Sequence, residues 1–232
     1  SADMYKFTDE DGIVHYTNVR PAGQKNVTSF SFPCYASDPK CNQLDWENIP
    51  LNRQAYADEI QAAAEVFTVD GALIRAIIHA ESAYRPEALS PRGAQGLMQL
   101  MPATAKQTAK KFEVSYSHPD QLYTPKTNIS LGTAYLADML NTFEGNRVYA
   151  TAAYNAGPGR VKQWLKSRGD LPLDAWIETI PFDETRNYVQ NVLAFSVIYD
   201  VLDKKPASLF NKTELPALAM TDKPAKKAPA YN

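Results

Sequence analysis

Glu81 is the residue whose placement most needs a chemical explanation. Ile74, Ile77, Ile78 and Glu81 stand at i, i+3, i+4 and i+7, so on a helix the carboxylate shares one stripe with three isoleucines. Burial disfavours an ionised carboxyl, and Pro86 requires the helix to end soon after Glu81, near the negative pole of its dipole. Both effects raise the pKa. An acid that keeps its proton near neutral pH can protonate the leaving oxygen of a sugar, which is what glycosidic bond cleavage requires. The competing structural account is a boundary glutamate paired with Arg75 or Arg85, because ion pairs also perturb pKa values.

Three further clusters carry polar groups where a ligand would need them. Ser90-Pro91-Arg92-Gly93-Ala94-Gln95-Gly96-Leu97-Met98-Gln99-Leu100-Met101-Pro102 combines glycines that permit close backbone approach with an amide, Gln99, and two adaptable thioethers, Met98 and Met101. The bland reading of the methionines is core packing. Ala153-Tyr154-Asn155-Ala156-Gly157-Pro158-Gly159 reads as a sharp turn between helices that exposes Tyr154 and Asn155. In Ile180 to Val189, Asp183 or Glu184 falls at a helix N-terminus, where the dipole favours an anion; for Asp183 a structural cap is the preferred reading.

The elements that must position these groups are mostly helical. Apolar residues recur at helical spacing over Gln54–Phe67, Ala72–Ala83, Ile129–Phe143 and Thr185–Leu202, and Ala103–Phe112 continues a helix whose first turn suits Pro102. The spacing predicts a mainly α protein with a helical domain of catalytic size over residues 53–205. Residues 1–32 form a small β-hairpin module, with β-prone Met4–Phe7 and Ile13–Thr17 flanking the turn Thr8–Gly12. Residues 21 to 50 carry Pro, Gly, Ser and Asn without a sustained period, which places a linker over 33–52. Within it Cys34 and Cys41 fit one local disulfide of an oxidising compartment, worth roughly 2.5 kcal/mol, with two free thiols as the alternative. Residues 206–232 are rich in Lys, Pro and Ala and read as a flexible tail.

Composition excludes several classes of function. A net charge of -2 argues against a general nucleic-acid binder, which needs clustered Lys and Arg. No apolar run reaches the roughly 18 residues of a membrane-spanning helix. Two cysteines without neighbouring histidines do not make a zinc site. The chain begins Ser1-Ala2-Asp3 without an initiator Met, as an exported protein would once its signal peptide is removed, so a periplasmic or otherwise exported location is expected.

Glu81-Ser82, Gly96-Leu97-Met98-Gln99, Ala153-Tyr154-Asn155-Ala156-Gly157 and Glu184-Thr185-Arg186 with Tyr188-Val189, in this order, resemble the soluble lytic transglycosylase family. The resemblance implies an α+β, lysozyme-like catalytic domain and a peptidoglycan glycan strand as substrate. It implies that Glu81 is the single catalytic acid and base. Ser90, Met98, Gln99, Met101, Tyr154 and Asn155 would line the glycan cleft, Glu184 and Tyr188 would complete the site, and Tyr188 would hydrogen-bond close to the Glu81 carboxyl. By the same analogy the bond between N-acetylmuramic acid and N-acetylglucosamine is cut without water, giving a 1,6-anhydro end. Neither metal nor organic cofactor is called for. Two rival readings are a lysozyme-type hydrolase with Glu184 as second carboxylate, and a non-catalytic wall-binding or assembly module. Residues 5–21 separately resemble a small β module found on exported bacterial proteins. That module or the tail would offer a surface for a cell-envelope partner.

Overall fold

A computed structural model describes residues 2–8, 14–17, 20, 22–23, 27–32 and 54–202. Helices dominate 54–202, as the apolar spacing predicts, and the N-terminal part is β. The sheet has three strands rather than the two of a hairpin: β1 Ala2–Thr8, β2 Val14–Thr17 and β3 Thr28–Phe32, in the order β2-β1-β3 with both pairs antiparallel. β3 lies where the sequence reads as loop. Its Thr-Ser-Phe-Ser-Phe run is too short to declare a period, and pairing with β1 supplies what propensity does not. A third strand also gives a hairpin the support it lacks alone, and β2 lies against the C-terminal helix. Cys34 and Cys41, the 33–52 linker and the 206–232 tail fall outside the described residues.

Among the described residues eight α-helices follow. They are α1 Ala57–Phe67, α2 Gly71–Ser82, α3 Pro102–Phe112, α4 Pro125–Thr142, α5 Arg147–Ala156, α6 Pro158–Arg168, α7 Leu173–Glu178 and α8 Asp183–Leu202, with a 3-10 turn at Pro119–Tyr123 before α4. Proline opens α3, α4 and α6 at the first position, where its missing N–H has no intrahelical partner to lose. Asn146 caps α5 by accepting from Tyr149 N at 3.1 Å, and Asp70 caps α2 by accepting from Ala72 N at 2.9 Å.

α2 is the axis of the domain. Every residue from Ala72 to Ala80 is buried, so the helix is enclosed all round rather than on one stripe. It packs chiefly on α8. Burial of Ile74, Ile77 and Ile78 contributes roughly 1.5–3 kcal/mol each. Its far side holds His79, whose ring stacks on Phe195 with centroids 4.0 Å apart and whose Nδ1 lies 2.9 Å from the Tyr199 hydroxyl. Burial pushes His79 down to about 3, so it stays neutral and works as a strut between α2 and α8.

Candidate active site

α2 ends where Pro86 requires. Ala83 takes the left-handed conformation at φ 49°, and its N–H returns to the His79 carbonyl. Arg85 Nε donates to the Ser82 carbonyl at 3.1 Å, covering one of the acceptors that the last turn leaves open. Glu81 therefore sits in the final turn of a buried helix, near the negative end of its dipole.

The Glu81 carboxyl is pushed up to about 8. Burial is the largest cause, the Tyr188 hydroxyl opposes it by hydrogen-bonding to the carboxylate, and the charge of Glu184 adds to the rise. A minority of the Glu81 surface stays open, which is the access that a reacting group needs. Arg75 and Arg85 are not among the groups acting on this carboxyl, so the boundary ion pair expected as the alternative does not form there. Arg75 instead donates to the Ala55 carbonyl at 3.0 Å.

The segment between α2 and α3 folds over the end of α2 as a compact loop. Ser82 Oγ donates to Leu97 O at 2.8 Å, tying the residue next to Glu81 to this loop. Ser90 is buried, and its Oγ accepts from Ala94 N at 3.0 Å. Gln99 has φ 48° and spends its amide nitrogen on Ala88 O at 3.1 Å and Gly96 O at 2.9 Å. Met101 is 41% exposed, whereas Met98 has no exposed surface.

Met98 therefore differs from the expectation that its thioether lines the open site. Its side chain fills the space left by Gly132 of α4, where an added Cβ would meet the Met98 sulfur at 2.4 Å. Met98 instead offers its backbone: its carbonyl accepts from the Tyr154 hydroxyl at 2.9 Å, and its N–H donates to Asn128 Oδ1 at 2.7 Å.

Asn128, in the first turn of α4, is the residue that sequence reasoning missed. It is fully buried and makes three hydrogen bonds, the third and second being from Nδ2 to Gln95 O at 2.9 Å and Leu122 O at 2.8 Å. One amide thus clamps both ends of the Gln95–Met98 turn to α4. Gly96 makes the clamp possible. At φ +76° a Cβ there would stand 2.1 Å from Leu122 O and 2.3 Å from Asn128 Nδ2. Gly96→Ala is expected to cost about 2–4 kcal/mol in a urea melt through backbone strain and overpacking; an unchanged midpoint would show that the turn is not held this tightly.

α5 brings the second set of groups. Tyr154 lies in the last helical turn rather than in an exposed loop, and it is 8% exposed. The turn itself is Gly157, at φ 90°, followed by Pro158. Burial raises the Tyr154 phenol well above its ordinary value, and the nearby Glu81 charge adds to the rise, so the hydroxyl stays a donor. Asn155 is fixed by α8: Thr185 Oγ donates to Asn155 Oδ1 at 2.8 Å, leaving the Asn155 amide N–H groups as the available donors.

α8 supplies the rest. Asp183 and Glu184 occupy its first turn, both exposed. Asp183 lies inside the first turn and pairs with Arg186, an ion pair rather than the cap expected of it. Tyr188, one turn along, is 2% exposed. The structure thus gathers Glu81, Tyr154, Tyr188 and Glu184 around one carboxyl, with Asn155 attached through Thr185; Ser90, Gln99 and Met101 belong to the adjoining loop. Among the described residues no three His, Cys, Asp or Glu side chains gather at metal-ligand spacing, and no helix among them is long and apolar enough to cross a membrane.

A protonated, mostly enclosed Glu81 at the end of a core helix, flanked by phenols and one exposed carboxylate, fits a helical, lysozyme-like domain. The sequence matches the family model described as Transglycosylase SLT domain over residues 58–177, half of the chain, and the protein belongs to that family. Residues 179–207 match the Soluble lytic transglycosylase helical domain, and residues 1–30 match a Domain of unknown function (DUF4124). The "Soluble lytic murein transglycosylase" of Escherichia coli K12 is 44% identical over 170 residues, covering 72% of this chain and 26% of that protein. The "Membrane-bound lytic murein transglycosylase C" of Edwardsiella ictaluri is 40% identical over 172 residues, covering 65% of this chain and 48% of that protein. Among solved structures, an inactive mutant of the lytic transglycosylase Slt from Pseudomonas aeruginosa superposes with a TM-score of 0.69 at 45% identity, covering 75% of this chain and 29% of that one. The 70 kDa soluble lytic transglycosylase of Escherichia coli gives 0.68 at 44% identity, over 72% and 27%. The chain spans about a quarter of the length of the soluble relatives.

Proposed function

We propose that this chain is a peptidoglycan lytic transglycosylase, acting in an exported compartment on glycan strands. The observation that supports this reading most is the enclosed Glu81 carboxyl, protonated at neutral pH and accompanied by Tyr188 and Glu184. Membership of the SLT family and relatives named for murein transglycosylase activity point the same way.

In this mechanism the Glu81 O–H protonates the oxygen that joins C1 of N-acetylmuramic acid to the next N-acetylglucosamine. The C1–O bond breaks with its electron pair on the departing oxygen, and the N-acetyl carbonyl oxygen of the same muramic residue takes up the positive charge at C1. Glu81, now anionic, removes the proton from that sugar's C6 hydroxyl, whose oxygen attacks C1, displaces the N-acetyl carbonyl oxygen with its electron pair and closes the 1,6-anhydro ring. Intramolecular attack has a high effective molarity, so no second carboxylate is needed as a nucleophile.

The two neighbours of Glu81 act on different halves of this cycle. Glu184 disfavours the ionised carboxyl and keeps the acid loaded, while Tyr188 hydrogen-bonds the carboxylate and steadies it between the two proton transfers. Asn155 amide N–H groups, the Gln99 carbonyl and the exposed Met101 side chain are assigned to holding the glycan, with Ser90 and the Met98 backbone shaping the loop that carries them. An acid that must be protonated sets an alkaline limit. With the carboxyl at about 8, kcat/KM is expected to level off below that pH and to fall about tenfold per unit above it. A limb centred near pH 4.5, the ordinary value, would remove Glu81 as the acid.

Mass spectrometry of the muropeptides released from purified sacculi tests the reaction class. Anhydro-muramyl ends are expected. Reducing ends would instead assign a hydrolase with Glu184 as partner carboxylate, and no release at all would leave a wall-binding module.

A further inference from the structure

The chain leaves α2 in a strained conformation. Ala83 and Tyr84, the two residues after its last helical position, are both left-handed, at φ 49° and 63°. That region is unfavourable for a side chain as bulky as tyrosine, so two such residues in succession persist only where their surroundings hold them. The Ala83 N–H closes on the His79 carbonyl at 2.9 Å, an ordinary helix end. Tyr84 is held from farther away.

Its side chain turns back along α2 and meets α8. The Tyr84 hydroxyl donates to the Tyr199 hydroxyl at 2.7 Å, with the Arg75 carbonyl a more distant acceptor at 3.4 Å. The Tyr84 ring stands edge-on to His79 with centroids 5.6 Å apart, and His79 Nδ1 is hydrogen-bonded to the same Tyr199 hydroxyl at 2.9 Å. Burial raises the Tyr84 phenol, so it remains a donor at neutral pH. One buried oxygen of α8 thus ties down both His79 and Tyr84, which bracket Glu81 in the sequence.

α8 carries the other half of the arrangement. Tyr188, Val192, Phe195 and Tyr199 stand at i, i+4, i+7 and i+11 and form one buried stripe. Phe195 stacks on His79, and Tyr188 hydrogen-bonds the Glu81 carboxylate. The stripe that supports the acid is therefore the stripe that anchors the chain on either side of it, and the register of α2 on α8 decides how Glu81 meets Tyr188.

We propose that Tyr84, acting through Tyr199 and His79, is a positioning residue for Glu81: it locks the last turn of α2 against α8 and so keeps the carboxyl enclosed and in register with Tyr188. Its consequence for turnover rests on the transglycosylase reading above.

The test compares the full chain with Tyr84→Phe, Tyr199→Phe and the double variant, all of which keep their rings. Val161→Ala serves as the control, a buried truncation in α6, which packs chiefly on α5. Either phenylalanine is expected to lower kcat for muropeptide release roughly tenfold and to leave KM within about twofold. The Glu81 midpoint, read by carbon-13 NMR, should fall by about half a pH unit or more, because burial is what holds it up. The double variant should be no worse than Tyr199→Phe alone, since the two hydroxyls form one link. Val161→Ala should lose stability in a urea melt and keep the wild-type kcat and midpoint. Wild-type kcat in both single variants, an unmoved Glu81 midpoint, additive losses in the double variant, or the same loss of kcat in Val161→Ala would each overturn the proposal. Should the variants move the Glu81 midpoint while wild type releases nothing from sacculi, the positioning role stands and the catalytic reading falls.

Discussion

Glu81→Gln is expected to lower the release of soluble muropeptides from sacculi by about a thousandfold, with binding to the sacculi retained. Glutamine has the shape of the protonated acid but no proton to give, so the variant isolates chemistry from binding. It is also expected to be more stable than wild type at pH 8. The Glu81 carboxyl lies at about 8 in the folded protein against an ordinary 4.5. Below pH 4.5 the residue is protonated in both folded and unfolded chains and costs nothing. As pH rises from there through about 8, the unfolded chain sheds the proton first, so wild type loses stability across that window and glutamine does not. Each pKa unit corresponds to about 1.4 kcal/mol, and with part of the side chain open to water a gain of about 1–3 kcal/mol is expected. Urea melts of both proteins at pH 5 and pH 8 read it directly. A variant that is active, or one destabilised at pH 8, would not fit a protonated Glu81.

Asn128→Leu is the second large effect. The substitution keeps the branched outline of the side chain and removes all three hydrogen bonds, so the Met98 N–H and the Leu122 carbonyl lose their partner, while the Gln95 carbonyl keeps the Leu100 N–H. Each unpaired group costs about 1–3 kcal/mol, and a total of about 3–5 kcal/mol is expected in the melt. Activity should fall by about ten- to a hundredfold even where the variant remains folded, because the loop bearing Gln99 and Met101 loses its anchor on α4. Asn128→Asp separates the two halves of the amide: it keeps the acceptor for Met98 and lacks the donors, so it should fall between wild type and leucine. Wild-type stability in Asn128→Leu would mean that the turn stands without the clamp.

What the sequence disclosed, and what it hid, follows from the kind of signal each residue leaves. Glu81 was legible because a charge on an isoleucine stripe conflicts with its surroundings, and the structure resolves that conflict by raising its pKa rather than by pairing it. Helix ends marked by proline were legible too, at Pro86, Pro102 and Pro158. The start of α4 was not: its first turn, Pro-Lys-Thr-Asn, has no apolar period, and the available cue was Pro125 at the first position. The Gly157-Pro158 pair predicted a turn correctly, but its strength drew Tyr154 into that turn, although Ala150, Thr151 and Tyr154 already share a buried helical face. Met98 was assigned to the open site by its polarisable side chain, when Gly132, far away in sequence, had made room for that side chain in the core. Asn128 left no local mark, and Thr185 stood in a motif without a role of its own, since a buried polar residue is explained only by partners that folding brings to it.

Catalysis by Glu81 requires a carboxyl that holds its proton at neutral pH, and a direct titration of that group tests it best. With glutamate carboxyls labelled with carbon-13 and Glu81 assigned by comparison with Glu81→Gln, its midpoint is expected at about 8. A midpoint at the ordinary 4.5 would leave Glu81 ionised in the resting enzyme and contradict its role as the acid.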